Sequence, residues 1–394
     1  MLDLLKGTAI NFLYHEPGAG LESVIARARE QGLEEATPDS LPGDVITIAG
    51  KWPGILLSPA GDGDETSAGP TGDPWVDSNG WRIRLAAALQ PGKEVWVDVE
   101  PPDGKLSAQA YVLAAADAAT YGGRWIISLS DPLAAAMAAR QTEALAIWKK
   151  LTATAAFFVS HQDWPVLPAA AVLGIVSQFS GDNEFFSNEL LNLIARTNQQ
   201  YRIIPSKQAR PSSFSGLHGI VYADSQPPSS ELQEQLLAFV QNGGMLITGP
   251  KWDKLPGASI SGEGYSGYNP RALGKGRIVV SAEELSDPYR VAQDSVVLLS
   301  HRYDVLRFWN GGAMGSFYTA APGGKQAAVQ MLFYASRAPH GYPPTVWISG
   351  RYRSASLWTL DQRAAQKIGV DIQPDAVEIH LPSLEQYAAL VLQA

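Results

Sequence analysis

The sequence predicts an α/β protein that finishes in an all-β part, on three observations. Short apolar runs alternate with helical runs over residues 1–159, and the same alternation restarts after residue 168. From about residue 308 the helical periodicity disappears, and short strand-like runs separated by turns follow one another, the pattern of a small antiparallel β-sandwich. Between the two α/β stretches lies SHQDWPVLP (160–168), whose prolines and polar residues read as a linker. A chain of 394 residues has room for two or three domains at roughly 150 residues each. Its 45% hydrophobic content supplies material for several cores.

In the first stretch, residues 7–14 read as a strand. In LESVIARAREQGL, Leu21, Val24, Ile25, Ala28 and Leu33 fall at helical spacing, and Gln31-Gly32 ends the helix. Residues 44–49 and 55–58 are short apolar runs. Residues 75–90 look helical toward RIRLAAALQ and stop at Pro91-Gly92. A strand over 94–100, an Ala-rich helix over 108–121, a strand over 124–129 and one long helix over 132–159 complete this part. In the second stretch, strands are expected over 169–177, 201–205, 219–223, 245–249 and 277–281. The helix over 184–196 carries Leu190, Leu191, Leu193 and Ile194 toward a core. The helix over 229–241 is capped by Ser229 or Ser230 and stopped by Asn242-Gly243-Gly244. The third part has strands over 315–320, 327–334, 345–349, 356–360, 376–380 and 387–392.

Composition excludes several functions. A formal net charge of −9 is the wrong sign for neutralising nucleic-acid phosphates or for a polybasic membrane anchor. With no cysteine there is no disulfide, no thiolate nucleophile and no Cys-ligated zinc. No run approaches the roughly 18–20 apolar residues of a membrane span. No basic segment followed by an apolar run and a cleavage site opens the chain, so cytoplasm is the default expectation. Neither α/β stretch opens with G-x-G-x-x-G, and the histidines show no H-E-x-x-H spacing, so no cofactor and no metal centre are expected. GKGRIVV (274–280) lacks the full phosphate-loop spacing and reads as a turn into a strand.

The run GLHGIVYADSQPPSSELQEQLLAFVQNGGMLITGP (216–250) carries a resemblance. Its strand, loop, amphipathic helix, NGG stop and strand ending in Gly-Pro are similar to the flavodoxin-like, class I glutamine-amidotransferase-like fold. That fold also serves as the trimerisation domain of glycoside hydrolase family 42 β-galactosidases. Amidotransferases place a nucleophilic Cys at a strand-to-helix turn; here the turn after residue 223 offers Asp224 and Ser225 instead, so amidotransferase activity is not expected. The flanks also resemble family 42, in which barrel, amidotransferase-like domain and β domain follow in that order. VEIHLPSLEQYAALVLQ (377–393) and DVLRFWNGG (304–312) are similar to parts of that β domain. The resemblance implies an abbreviated TIM-barrel-like (β/α) domain over 1–166, an amidotransferase-like domain over 167–305 and a β-sandwich over 306–394. The first is abbreviated because a (β/α)₈ barrel takes about 250 residues. A homo-oligomer, a trimer as in the family, is implied as well.

Glycoside hydrolysis needs two carboxylates flanking one bond, about 5–5.5 Å apart to retain configuration and about 6.5–9.5 Å apart to invert it. In barrels such groups stand at the C-terminal ends of strands. In EVWVDVE (94–100) alternation puts Trp96, Asp98 and Glu100 on one face and the valines on the other, so Asp98 and Glu100 are expected to face the catalytic end. His15 and Glu16 follow the first strand, which makes Glu16 a candidate second carboxylate and His15 a substrate contact. Asp62 and Asp64 stand in the Gly-rich loop SPAGDGDETSAGPTGDPW, a candidate pocket lining. With Thr66 they offer oxygens at alternate positions, but the loop lacks the closing Glu of a calcium loop. Among the eleven tryptophans, Trp52 and Trp75 flank this loop and are the expected platforms for the apolar faces of a sugar. The expected function is therefore a carbohydrate-active, glycoside hydrolase-like protein. The alternative is a non-catalytic sugar-binding or assembly protein with a degenerate barrel.

Overall fold

The computed structural model describes residues 2–18, 20–55, 75–252, 255–260, 265, 267–335 and 343–394. At the N-terminal end the strands Phe12–Tyr14 and Glu34–Ala36 pair in parallel across the helix Glu22–Glu30. A second parallel sheet contains Val45–Ala49, Glu94–Asp98 and Gly123–Trp125 in that order. The alternation in Glu94–Asp98 has the expected sense. Val95 and Val97 pack with Ile83, Tyr111 and Leu151 beneath the helices. Trp96 turns the other way, toward Ala36 and Val45, and meets the Phe12 ring edge-on at 5.0 Å. Trp96 thereby joins the inner faces of both sheets.

Three boundaries differ from expectation for physical reasons. The strand ends at Asp98, two residues early, as the chain enters Pro101-Pro102. Residues Val76–Asp77 leave the expected helix to pair antiparallel with Gly54–Ile55, and the helix starts at Gly80. A Cβ at Gly80 would lie 2.5 Å from the Tyr121 ring, so only glycine allows this approach. The single long helix is two, Asp131–Ala138 and Thr142–Ser160. Arg140 takes a left-handed φ of 55°, and the amides of Arg140 and Gln141 close the first helix on Met137 and Ala136.

The central sheet has seven strands. Its parallel part runs Tyr201–Pro205, Leu173–Ser177, Gly219–Tyr222, Met245–Thr248, Gly276–Ser281, and Tyr268–Leu273 and Ala258–Ser259 add an antiparallel edge. By chain order the parallel strands read 2-1-3-4-5, the doubly wound order seen in flavodoxin-like sheets. The helices Glu184–Arg196 and Pro288–Leu299 cover one face and Ser230–Gln241 the other. Strands covered on both faces explain the unbroken apolar runs GIVY and MLIT. Ser229 caps the last of these helices, its hydroxyl accepting from the Leu232 amide at 3.3 Å.

The C-terminal part has two antiparallel sheets. One contains Leu306–Trp309, Thr345–Ser349, Ala376–His380 and Asp371–Ile372; the other Met314–Ala320, Gln326–Phe333, Tyr387–Gln393, Ser354–Thr359 and Gln366–Ile368. Val346, Ile348, Val377 and Ile379 meet Val329, Met331, Leu390 and Leu392 in the space between them. The outer face of the second sheet is also buried. Ala328, Leu332, Tyr334 and Ala389 pack on Leu113, Ala116 and Phe158 of the N-terminal helices. Buried hydrogen bonds cross the same contact: Tyr334 Oη donates to Asp117 at 2.7 Å, and Gln330 Nε2 to the Thr120 carbonyl at 3.0 Å. The segment expected as a linker is packed in. Trp164 is 4% exposed, and the backbone at Pro168 and Ala170 pairs with Ala320 and Tyr318.

Candidate active site

Tyr14 lies within electrostatic reach of carboxylates that follow the strands Phe12–Tyr14 and Glu34–Ala36 and close the strand Glu94–Asp98. This residue closes the first strand, and its ring packs beside Trp96. Burial raises the Tyr14 phenol above its ordinary pKa, and the negative charges of Asp98, Glu16 and Asp39 raise it further. Three carboxylates from three different strand ends therefore act on one hydroxyl. Asp98 and Glu16, named from the sequence, are among them, and both are exposed to solvent. Glu100 lies two residues beyond the end of its strand and is also exposed.

His15 is held on both ring nitrogens. Nδ1 lies 2.9 Å from the Glu16 carbonyl oxygen, and Nε2 lies 3.0 Å from Glu35 Oε1. Two acceptors favour the doubly protonated ring. The Glu16 carbonyl first, and the Glu35 carboxylate second, hold the His15 pKa above its usual value. Glu35 in turn lies below the usual carboxylate range, through His15 and then Arg29, with which it also pairs. The result is an imidazole held on both nitrogens next to Glu16, suited to orienting an anionic or hydroxyl-rich group.

Trp52 is partly buried and meets Tyr111 and Trp125 edge-on at 5.8 and 5.6 Å. Trp75 packs against the core of the central sheet, with the Arg196 guanidinium 5.8 Å from its ring centre. Asp62 and Asp64 lie outside the described residues. Among the described residues no group of three or more His, Asp or Glu is arranged to hold a metal ion. None of their helices is long and apolar enough to cross a membrane.

Tyr14, Glu35 and Asp39 were not legible in the sequence. The strand that carries Glu35 reads Glu-Glu-Ala, with Ala36 its only buried residue, so it lacks the apolar run that marks a strand. Tyr14 sits inside an expected strand, and a Tyr there is more often core than site.

No family model matches the sequence, and no curated protein matches it. Solved structures do. The chain is similar to a GH42 β-galactosidase from G. stearothermophilus, with a TM-score of 0.53 at 11% identity over 95% of this chain and 66% of that one. It is similar to α-L-fucosidase isoenzyme 2 from Paenibacillus thiaminolyticus, with a TM-score of 0.52 at 13% identity over 94% of this chain and 70% of that one. A β-galactosidase from Rahnella sp. R3 gives 0.51 at 10% identity, over 94% and 65%. The protein thus shares the fold of these solved structures over nearly all of its own length and spans about two thirds of theirs.

Proposed function

We propose that the protein is a carbohydrate-active, glycoside hydrolase-like enzyme whose chemistry is carried by carboxylates at the C-terminal ends of the N-terminal strands. The observation that carries this reading is the joint action of Asp98 and Glu16 on Tyr14 from neighbouring strand ends. In it one carboxylic acid protonates the glycosidic oxygen, and the other carboxylate attacks the sugar or activates water. Glu100 is the further carboxylate on the same strand. His15 orients a sugar hydroxyl, and Trp52, Trp75, Asp62 and Asp64 are the residues proposed for the other sugar contacts. The domain division belongs to the same proposal: an abbreviated barrel over 1–166, an amidotransferase-like layer over 167–305 and a sandwich over 306–394. The 2-1-3-4-5 order supports the middle assignment, and a trimer built on that layer follows from it.

The test is turnover of a panel of nitrophenyl glycosides, galactosides included, by wild type and by Asp98→Asn, Glu16→Gln and Glu100→Gln. Turnover by the wild type that falls by about 10²-fold or more in at least one folded variant supports the proposal. Turnover that survives all three substitutions removes these carboxylates from the mechanism. No turnover of any glycoside by the folded wild type overturns the enzyme reading and leaves a role in sugar binding or assembly.

A further inference from the structure

The central sheet holds a concave site of its own. At the N-terminal ends of the central parallel strands lies an open cleft of about 270 Å³. Its lining includes His218, Lys275, Arg277, Arg302 and Tyr303, and no acidic side chain among the described residues. In a chain of net charge −9, a cleft whose described lining is cationic and neutral concentrates positive potential at one place.

The site is built rather than incidental. Tyr303 stacks on the His218 ring at 4.2 Å and 17°, and the Arg302 guanidinium lies 4.7 Å from the Tyr303 ring centre. Arg277 is held by its hydrogen bond to the Leu298 carbonyl at 2.7 Å. Gly244 and Gly276 form part of the wall. A Cβ at Gly276 would come within 2.1 Å of the Gly244 carbonyl oxygen, so the turn GKGR has to pass here without a side chain. That turn then delivers Lys275 and Arg277, from either side of the glycine, to the same cleft as Arg302. Lys275 and Arg302 are exposed, and no carboxylate pairs with either among the described residues. Burial first, and the Arg302 charge second, hold the His218 pKa below its usual value. A bound anion opposes the second cause.

We propose that this cleft is an anion site, taking a small dianionic oxyanion of the phosphate or sulfate type, either free or as the monoester of a sugar-sized molecule. Guanidinium and ammonium groups converging on one cleft suit the several acceptor oxygens of such a group. The volume is close to the roughly 300 Å³ lower end of ligand sites, which fits a monosaccharide phosphate and little more.

The experiment uses the full chain at constant ionic strength. Inorganic sulfate, inorganic phosphate and glucose 6-phosphate are titrated while the His218 ring resonances, assigned by their loss in His218→Gln, are followed by NMR. The expected result is saturable binding with an upward shift of the His218 pKa. Lys275→Gln/Arg302→Gln, which changes two exposed side chains, should weaken binding by at least about tenfold with the fold retained by circular dichroism. A response no different from that to chloride, or equal affinity in the folded double variant, overturns the site. Tighter binding of glucose 6-phosphate than of inorganic phosphate supports the monoester; equal binding overturns the monoester and leaves the free ion as the ligand.

Discussion

The N-terminal strands and the central sheet are both parallel, both backed by helices, and both carry acidic residues at their strand ends, yet the two treat those residues in opposite ways. In the central sheet, Asp224 follows the strand Gly219–Tyr222 and is 4% exposed. It accepts hydrogen bonds from the Ser177 hydroxyl and the Gln178 amide of the neighbouring strand end. In the N-terminal part, Asp98 and Glu16 stand exposed, and their charges act on a half-buried Tyr14. A carboxylate at a strand end therefore takes one of two surroundings, buried with donors that satisfy it or exposed to solvent. The central sheet's carboxylate ties two strands together, and the N-terminal ones stand in solvent.

The largest effect that would break this contrast is on stability. Asp224→Ala leaves the Gln178 amide and the Ser177 hydroxyl without their acceptor in a buried place and should cost about 2–4 kcal/mol in urea denaturation. Asp98→Ala, at an exposed position, should change stability by less than about 0.5 kcal/mol. Equal costs would mean that the two strand ends are doing the same work.

A smaller effect appears with pH. Burial raises the Asp224 pKa above its unfolded value, the donated hydrogen bonds only partly opposing it. The folded state then holds more protons than the unfolded state between the two pKa values, so this group makes stability fall as pH rises through that window. Asp224→Asn should lack this contribution. In thermal melts the wild type should therefore gain on the variant as pH is lowered from 7 toward about 4. A gap that widens against the wild type on acidification would contradict the assigned direction.

The smallest effect has the opposite sign and belongs to the exposed end. The Glu35 pKa is lowered by His15 and Arg29, so its contribution is present above the unfolded carboxylate pKa and is lost as pH falls through the folded value. His15 is raised, so its contribution is present below the unfolded histidine pKa and is lost as pH rises through the folded value. Both contributions coexist only between those limits. Wild type and Glu35→Gln should differ most there, converging toward acid pH and only in part toward alkaline pH, where Arg29 still pairs with Glu35, in melts taken across pH 3 to 8. A constant difference would show that the pair adds nothing through its charges.

Much of this architecture was legible because burial imposes periodicity. The five parallel central strands and the helices Glu184–Arg196 and Ser230–Gln241 were placed within a few residues, the helix Pro288–Leu299 was not expected, and each strand expected in the C-terminal part is present. Strands with few buried side chains were missed, among them Glu34–Ala36 and the edge strand Ala258–Ser259, both of whose residues are exposed. The break at Arg140 was missed because Ala-rich and amphipathic helices on either side share one pattern, and a non-glycine residue in a left-handed conformation leaves no compositional mark.

The candidate site divides in the same way. From the sequence alone came the absence of thiol chemistry, the two faces of Glu94–Asp98 and the location of Asp98 and Glu16 at strand ends. These depend on residue identity and on the two-residue period of a strand, which are local properties. The neighbours of Tyr14, the ion pair that holds His15 and the cationic cleft around His218 were decided by tertiary structure alone. Each joins segments separated along the chain by about twenty residues or more, and exposed charged groups obey no period. What brings them together is the packing of apolar residues elsewhere, such as Trp96 between the two N-terminal sheets and the glycines beneath Lys275.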